Sequence, residues 1–132
     1  MTPVQNKQFV QNMFRDVIEN PRANSSIYKK YFSTDFVQYV DGKKNDYPHF
    51  LLHLQALKTA IKTVSIAVEH IVAEGDKVAT VHTARGVKRD GSTFATQVNA
   101  VFQVKDSKIV LCNELTHLLT GSESDRDLGS RH

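Results

Sequence analysis

Residues 64–118 read VSIAVEHIVAEGD (64–76), KVATVHTARGVKRDGS (77–92), TFATQVNAVFQVKDS (93–107) and KIVLCNELTHL (108–118). Apolar and polar residues alternate with a period of two through each piece, which predicts strands. Val64, Ile66, Val68, His70 and Val72 alternate with Ser65, Ala67, Glu69, Ile71 and Ala73. The breaks between pieces are turn sequences: Glu74-Gly75-Asp76, Arg89-Asp90-Gly91-Ser92 and Lys105-Asp106-Ser107. Asp-Gly between alternating runs is a strong short-range hairpin signal. The stretch therefore predicts a four-strand antiparallel meander.

Upstream, the period is helical. Phe9, Val10, Met13, Phe14, Val17 and Ile18 form one apolar stripe. Thr2-Pro3-Val4-Gln5 is a capping box with proline at the first helical position. Asn20-Pro21 ends this helix, because the residue before a proline is pushed out of the helical region. Asn24 caps a short second helix carrying Ile27, Tyr28, Tyr31 and Phe32. Phe36–Val40 predicts a short strand, and residues 41–45 a turn or loop. Asp46 caps a third helix to about Lys62, with Phe50, Leu51, Leu54, Leu57 and Ile61 as its apolar face. Helices segregated to one face of an antiparallel sheet make an α+β domain. Residues 1–120 form that single domain. Residues 121–132, small, polar and charged, read as a peripheral tail dispensable for folding.

Composition excludes several classes. The chain has 132 residues and 17 Lys+Arg against 14 Asp+Glu, an excess of +3. The longest basic runs are pairs, so no dedicated nucleic-acid surface is expected. A single cysteine, Cys112, excludes an internal disulfide framework and reads as a buried structural thiol. No apolar run approaches a membrane span, and the N-terminus lacks a signal-peptide apolar region, so a cytoplasmic setting is the expectation. His49 and His53 have a metal-compatible spacing on a helix but no third ligand nearby. They read as a solvated face, and no metal is expected.

The order of elements, with Glu74–Ala79 and then Val101–Val104 before Lys108–Val110, resembles the meander of the nuclear-transport-factor-2-like superfamily. Within it the chain is most similar to the SnoaL-like group, which includes polyketide cyclases and relatives of ketosteroid isomerase. The resemblance implies a curved antiparallel sheet wrapped as a cone around three N-terminal helices. It also implies a cofactor-independent isomerase or cyclase moving a proton on a small apolar carbonyl compound. The alternative is a non-catalytic binding or dimerisation module of the same fold. Such domains commonly pair through the outer sheet face, which implies a homodimer here through Ala79, Val81, Val101, Val110 and Cys112.

Strand parity and the resemblance together give the candidate site. Ile109, Leu111, Asn113, Leu115 and His117 form the more apolar set of the last strand. The resemblance places an acid/base, usually Asp, where His117 stands, so His117 is the candidate catalytic base and Asn113 a substrate-binding neighbour. The resemblance also favours an inward His82, and simple alternation puts His70 on the apolar face. Tyr39 and Asp41 share a face of the short strand. Tyr39 is a candidate catalytic donor to a carbonyl or enolate, and Asp41 a substrate-binding residue. Glu114, on the parity opposite to His117, is kept as a further substrate-binding candidate.

Overall fold

The computed structural model describes residues 1–122 and Asp125. Helix α1 spans Pro3–Met13 and continues as a π-helical segment, Phe14–Glu19. Its start is the expected capping box, with Thr2 and Gln5 exchanging hydrogen bonds at 2.8 and 3.1 Å. Helix α2 is Ser25–Tyr31, capped by Asn24. Strand β1 is Phe32–Val40, β2 is Lys43–Asp46, and α3 is Tyr47–Ala60, capped by Asp46. The long meander follows as β3 Ile61–Glu74, β4 Lys77–Lys88, β5 Thr93–Lys105 and β6 Lys108–Thr120.

Two boundaries differ from the sequence reading. Phe32 opens β1 rather than closing a helix, and Ile61 opens β3 rather than extending α3. Residues 43–46 form a strand paired back onto β1, where a loop was expected. Asp41 and Gly42 supply the tight turn, both with positive φ.

The six strands form one curved, open sheet in the order β2-β1-β6-β5-β4-β3. All pairs are antiparallel except β1 with β6. The helices cover one face, giving the expected α+β cone. Its closed end is packed with aromatics: Phe32, Phe36 and Phe50 meet with ring centroids 4.7–4.9 Å apart. Phe14, from the π-helical segment, packs on His82 at 4.5 Å and Phe102 at 5.9 Å.

β-Bulges decide which side chains enter the cone. In β3, Val68 pairs with His82 and His70 with Val81, so Glu69 is an extra residue. A single inserted residue reverses the alternation beyond it. Ile66 and Val68 therefore pack on the core before the bulge, and Ile71 and Ala73 after it. His70 and Val72 are exposed instead, correcting the expectation that His70 faces inward. In β6, Gln103 pairs with Leu111 and Val104 with Ile109, so Val110 is the extra residue. Ile109 is fully buried, and the inward set then shifts to Cys112, Glu114 and Thr116.

Most of residues 121–132 lie outside the described residues. Asp125 within that segment is buried, accepts a hydrogen bond from Lys88 Nζ at 2.7 Å, and accepts another from the Ser122 backbone N–H at 2.9 Å.

Candidate functional site

The cone encloses a cavity of about 420 Å³, a size that suits a small organic ligand. Phe36, Phe50, Leu54 and Phe102 give it an apolar floor. Its polar lining includes four side chains from three strands. Strand β6 contributes Glu114 and Thr116, β1 contributes Gln38, and β4 contributes His82.

Glu114 is the electrostatic centre of this arrangement. Gln38 Nε2 donates to Glu114 Oε1 at 2.8 Å, and Gln38 Oε1 in turn accepts from Asn45 Nδ2 at 3.5 Å. Burial in the apolar cone pushes the Glu114 carboxyl up to about 7. The Gln38 hydrogen bond opposes that shift, and the Asp41 charge reinforces it. A carboxyl that titrates there exchanges protons readily at neutral pH.

His82 lies across the sheet from Glu114. His82 pairs with Val98, and Ala100 pairs with both Thr80 and Glu114. The Glu114 and His82 side chains line the same cavity. Burial drives the His82 pKa down to about 4, with the Glu69 charge pulling weakly the other way. The imidazole is therefore neutral near pH 7. Its Nδ1 lies 2.9 Å from Thr80 Oγ1, which leaves Nε2 as the ring's remaining polar atom. Thr96 Oγ1, also on the cavity wall, is buried with no hydrogen-bond partner among the described residues.

The structure brings two of the six candidate residues, Glu114 and His82, to the cavity. The others lie elsewhere. His117 is exposed on the outer sheet face, because the Val110 bulge reverses β6. Asn113 is exposed on that same face, paired in register with Tyr39. Tyr39 faces outward because its neighbours Gln38 and Val40 both turn in and are buried. Asp41 sits in the turn after β1, at the end of the sheet, and accepts from Thr116 N–H at 2.8 Å and Thr116 Oγ1 at 2.5 Å. It acts on the cavity through its bonds to Thr116, a lining residue, and through its field on Glu114. Cys112 is buried as expected, but it lines the cone and does not lie on the outer face.

Two lining residues escaped the sequence reading. Gln38 was legible, since Phe36, Gln38 and Val40 share a parity and all three are buried. His53 was assigned to a solvated helix face with His49. It is buried and lines the cavity, whereas His49 is exposed and bonded to Asp46. The signal was its place three residues after Phe50 and beside Leu54 on the apolar stripe.

A curved, open α+β sheet with three helices on one face is the architecture of nuclear-transport-factor-2-like domains. The family model for the SnoaL-like domain matches residues 10–112, and the chain belongs to that family. It is 33% identical over 124 residues to an uncharacterised protein of Schizosaccharomyces pombe, covering 94% of this chain and 95% of that protein. Among solved structures it resembles AclR, a candidate hydroxylase from Streptomyces galilaeus. There the TM-score is 0.77 and the identity 18%, over 99% of this chain and 89% of that one. It also resembles an NTF2-like protein from Burkholderia xenovorans LB400, with TM-score 0.68 and 20% identity, over 89% of this chain and 92% of that one. At these identities the structural likenesses establish the fold. Among the described residues, no helix is long and apolar enough to cross a membrane.

Proposed function

We propose that this chain is a cofactor-independent enzyme that moves a proton on a small apolar carbonyl compound, as an isomerase or cyclase does. The observation that carries this reading is the Glu114 carboxyl, held by Gln38 inside an apolar cavity and poised near pH 7. Ionised Glu114 takes a proton from the carbon next to the carbonyl. The resulting enolate oxygen needs a donor in a water-poor site, and neutral His82 can supply Nε2–H when Nδ1 accepts from Thr80. Thr96 Oγ1 is a second available donor. Glu114 then returns the proton to a different carbon; or the enolate carbon attacks a second carbonyl carbon of the same molecule, the π bond of that carbonyl breaks, and its oxygen takes the proton from Glu114. Glu114 takes over the role that the family resemblance suggested for His117.

The test is α-proton exchange of 2-tetralone in D2O, followed by NMR. The wild type should accelerate exchange above buffer, with the rate rising through pH ~7. Glu114→Gln should return it to background. Equal rates for wild type and Glu114→Gln would overturn the reading.

The outer sheet face supports a proposed isologous homodimer in a cytoplasmic setting. Val101, Leu115 and Val72 are 40%, 64% and 65% exposed there, next to Tyr39 and Asn113. A pairing surface of this kind removes an apolar patch from water. Light scattering should give twice the 14.9 kDa chain mass, and Leu115→Glu should halve it. A wild-type mass near that of one chain would exclude the dimer.

A further inference from the structure

The cavity changes character from floor to mouth. Its floor is aromatic, whereas its exposed rim carries Lys62, Thr63 and Arg89, with half-buried Lys58 just inside. Three cations at one opening need a partner or a purpose. Lys58 Nζ donates to the carbonyls of Val17 and Asn20 at 3.0 and 2.8 Å. Arg89 donates to the carbonyls of Thr59 and Lys58 at 2.8 and 3.0 Å. These carbonyls end helices and carry only partial negative charge. Among the described residues, no ion pair involves Lys58, Lys62 or Arg89. One rim carboxylate, Glu19, is engaged by the Ile66 N–H at 2.8 Å, and Asp90 caps its own turn through Ser92. The mouth therefore keeps a net positive charge.

The positive groups also mark a route. Lys58, Arg89 and Pro21 line both the cone and a surface groove that runs between α2 and α3. An extended ligand can place an apolar head on the aromatic floor and lead its other end out past these cations.

Resting on the proton-transfer reading above, we propose that the substrate is an apolar carbonyl compound with a carboxylate at its far end, which Lys58, Lys62 and Arg89 hold at the cavity mouth. The carbonyl lies inside between Glu114 and His82. Lys58 has one N–H left after its two backbone bonds, and that hydrogen is free for a carboxylate oxygen. Half-burial lowers the Lys58 pKa, so an anion beside it is also the group that best stabilises its charge. Glu114 is thereby kept from attracting the cationic groups of other metabolites, since the mouth repels cations before they reach it.

A matched pair of probes tests this: 8-oxo-8-phenyloctanoate and its methyl ester, titrated by calorimetry. They share the aryl ketone and the spacer, and the ester replaces the anionic oxygen with a neutral methoxy group. The wild type should bind the acid about tenfold tighter than the ester, as expected of a partly screened charge-assisted contact. The Lys58→Gln/Lys62→Gln double variant should lose most of that preference, with acid affinity falling several-fold more than ester affinity; an equal fall for both probes would overturn the carboxylate contact. Raising the salt from 50 to 300 mM should shrink the preference as well. Equal wild-type affinities for acid and ester would overturn the carboxylate proposal and leave the proton-transfer site standing. Failure of both probes to bind would remove the pocket reading and this proposal together.

Discussion

Two faces of one strand divide this molecule. On the inner face of β6, Cys112, Glu114 and Thr116 line an apolar cavity; on the outer face, Asn113, Leu115 and His117 meet solvent. The residues are interleaved in sequence and differ by one position, yet the two sets live in opposite environments. Glu114 carries a carboxyl shifted by burial, and its neighbour in sequence Leu115 is 64% exposed. Chemistry in such a strand is assigned by parity, and here parity is assigned by one extra residue, Val110.

The sharpest way to break the contrast is to remove both residues between Ile109 and Cys112. With Ile109 anchored at full burial, deleting Val110 alone only heals the bulge and leaves Glu114 inward, because Ile109 and Leu111 already pair with Val104 and Gln103. Deleting Val110 and Leu111 together would instead slide Asn113, Leu115 and His117 into the cone and expel Glu114. Two polar side chains would then be buried without partners, at about 1–3 kcal/mol each, and the contacts of Cys112 and Glu114 would be lost. We expect the double deletion to lack a cooperative thermal transition and the single deletion to keep one. If the double deletion folds with wild-type stability and keeps Glu114-dependent exchange, alternation from Ile109 does not set the two faces.

A smaller perturbation compares the faces directly. Glu114→Gln keeps the size and the Gln38 contact but removes the proton acceptor, and should cut α-proton exchange by about 10²–10⁴-fold. His117→Ala, three residues further along the strand and on the other face, should leave the rate and the stability unchanged within about 0.5 kcal/mol. The opposite ranking would return His117 to the site and contradict the placement of β6.

The same contrast explains what the sequence could disclose. Helix caps and hairpin turns are local chemistry: Thr2 with Gln5, Asn24, Asp46 and the Asp90-Gly91 turn each carry their structure within a few residues. The order of elements followed from them, and so did the family. Bulges are not local in this sense. Glu69 and Val110 look like ordinary members of alternating strands, and only the pairing partner shows that one residue is extra. Every inward assignment downstream of an unseen bulge is reversed, which is why His70, Asn113 and His117 were misplaced. His82 lies on β4 opposite Val98, beyond no such shift in that pairing, and was placed correctly. His53 failed for another reason: its polarity outweighed its position on a stripe that Phe50 and Leu54 already defined.

The last and smallest effect is a pH dependence of stability that separates the inner face from the rest. The folded Glu114 pKa of about 7 lies above its ordinary value of 4.5. Folding therefore favours the protonated form. That contribution is fully present below pH 4.5 and is lost as pH rises through 7. His82 works in the opposite direction, because its folded pKa of about 4 lies below 6.5. Its contribution is present above pH 6.5 and fades as pH falls through 4. Between pH 5 and 8.5 the wild type should thus lose stability relative to Glu114→Gln by about 2 kcal/mol, after allowing for the partial exposure of the residue. Thermal melts of both proteins at the two pH values measure this as a difference of differences, in which the titration of all other groups cancels. His117→Ala should show no such divergence from the wild type. A Glu114→Gln gap that stays constant with pH would mean that the carboxyl is solvated and ionised throughout, and would remove the electrostatic basis for treating the inner face of β6 as the reactive one.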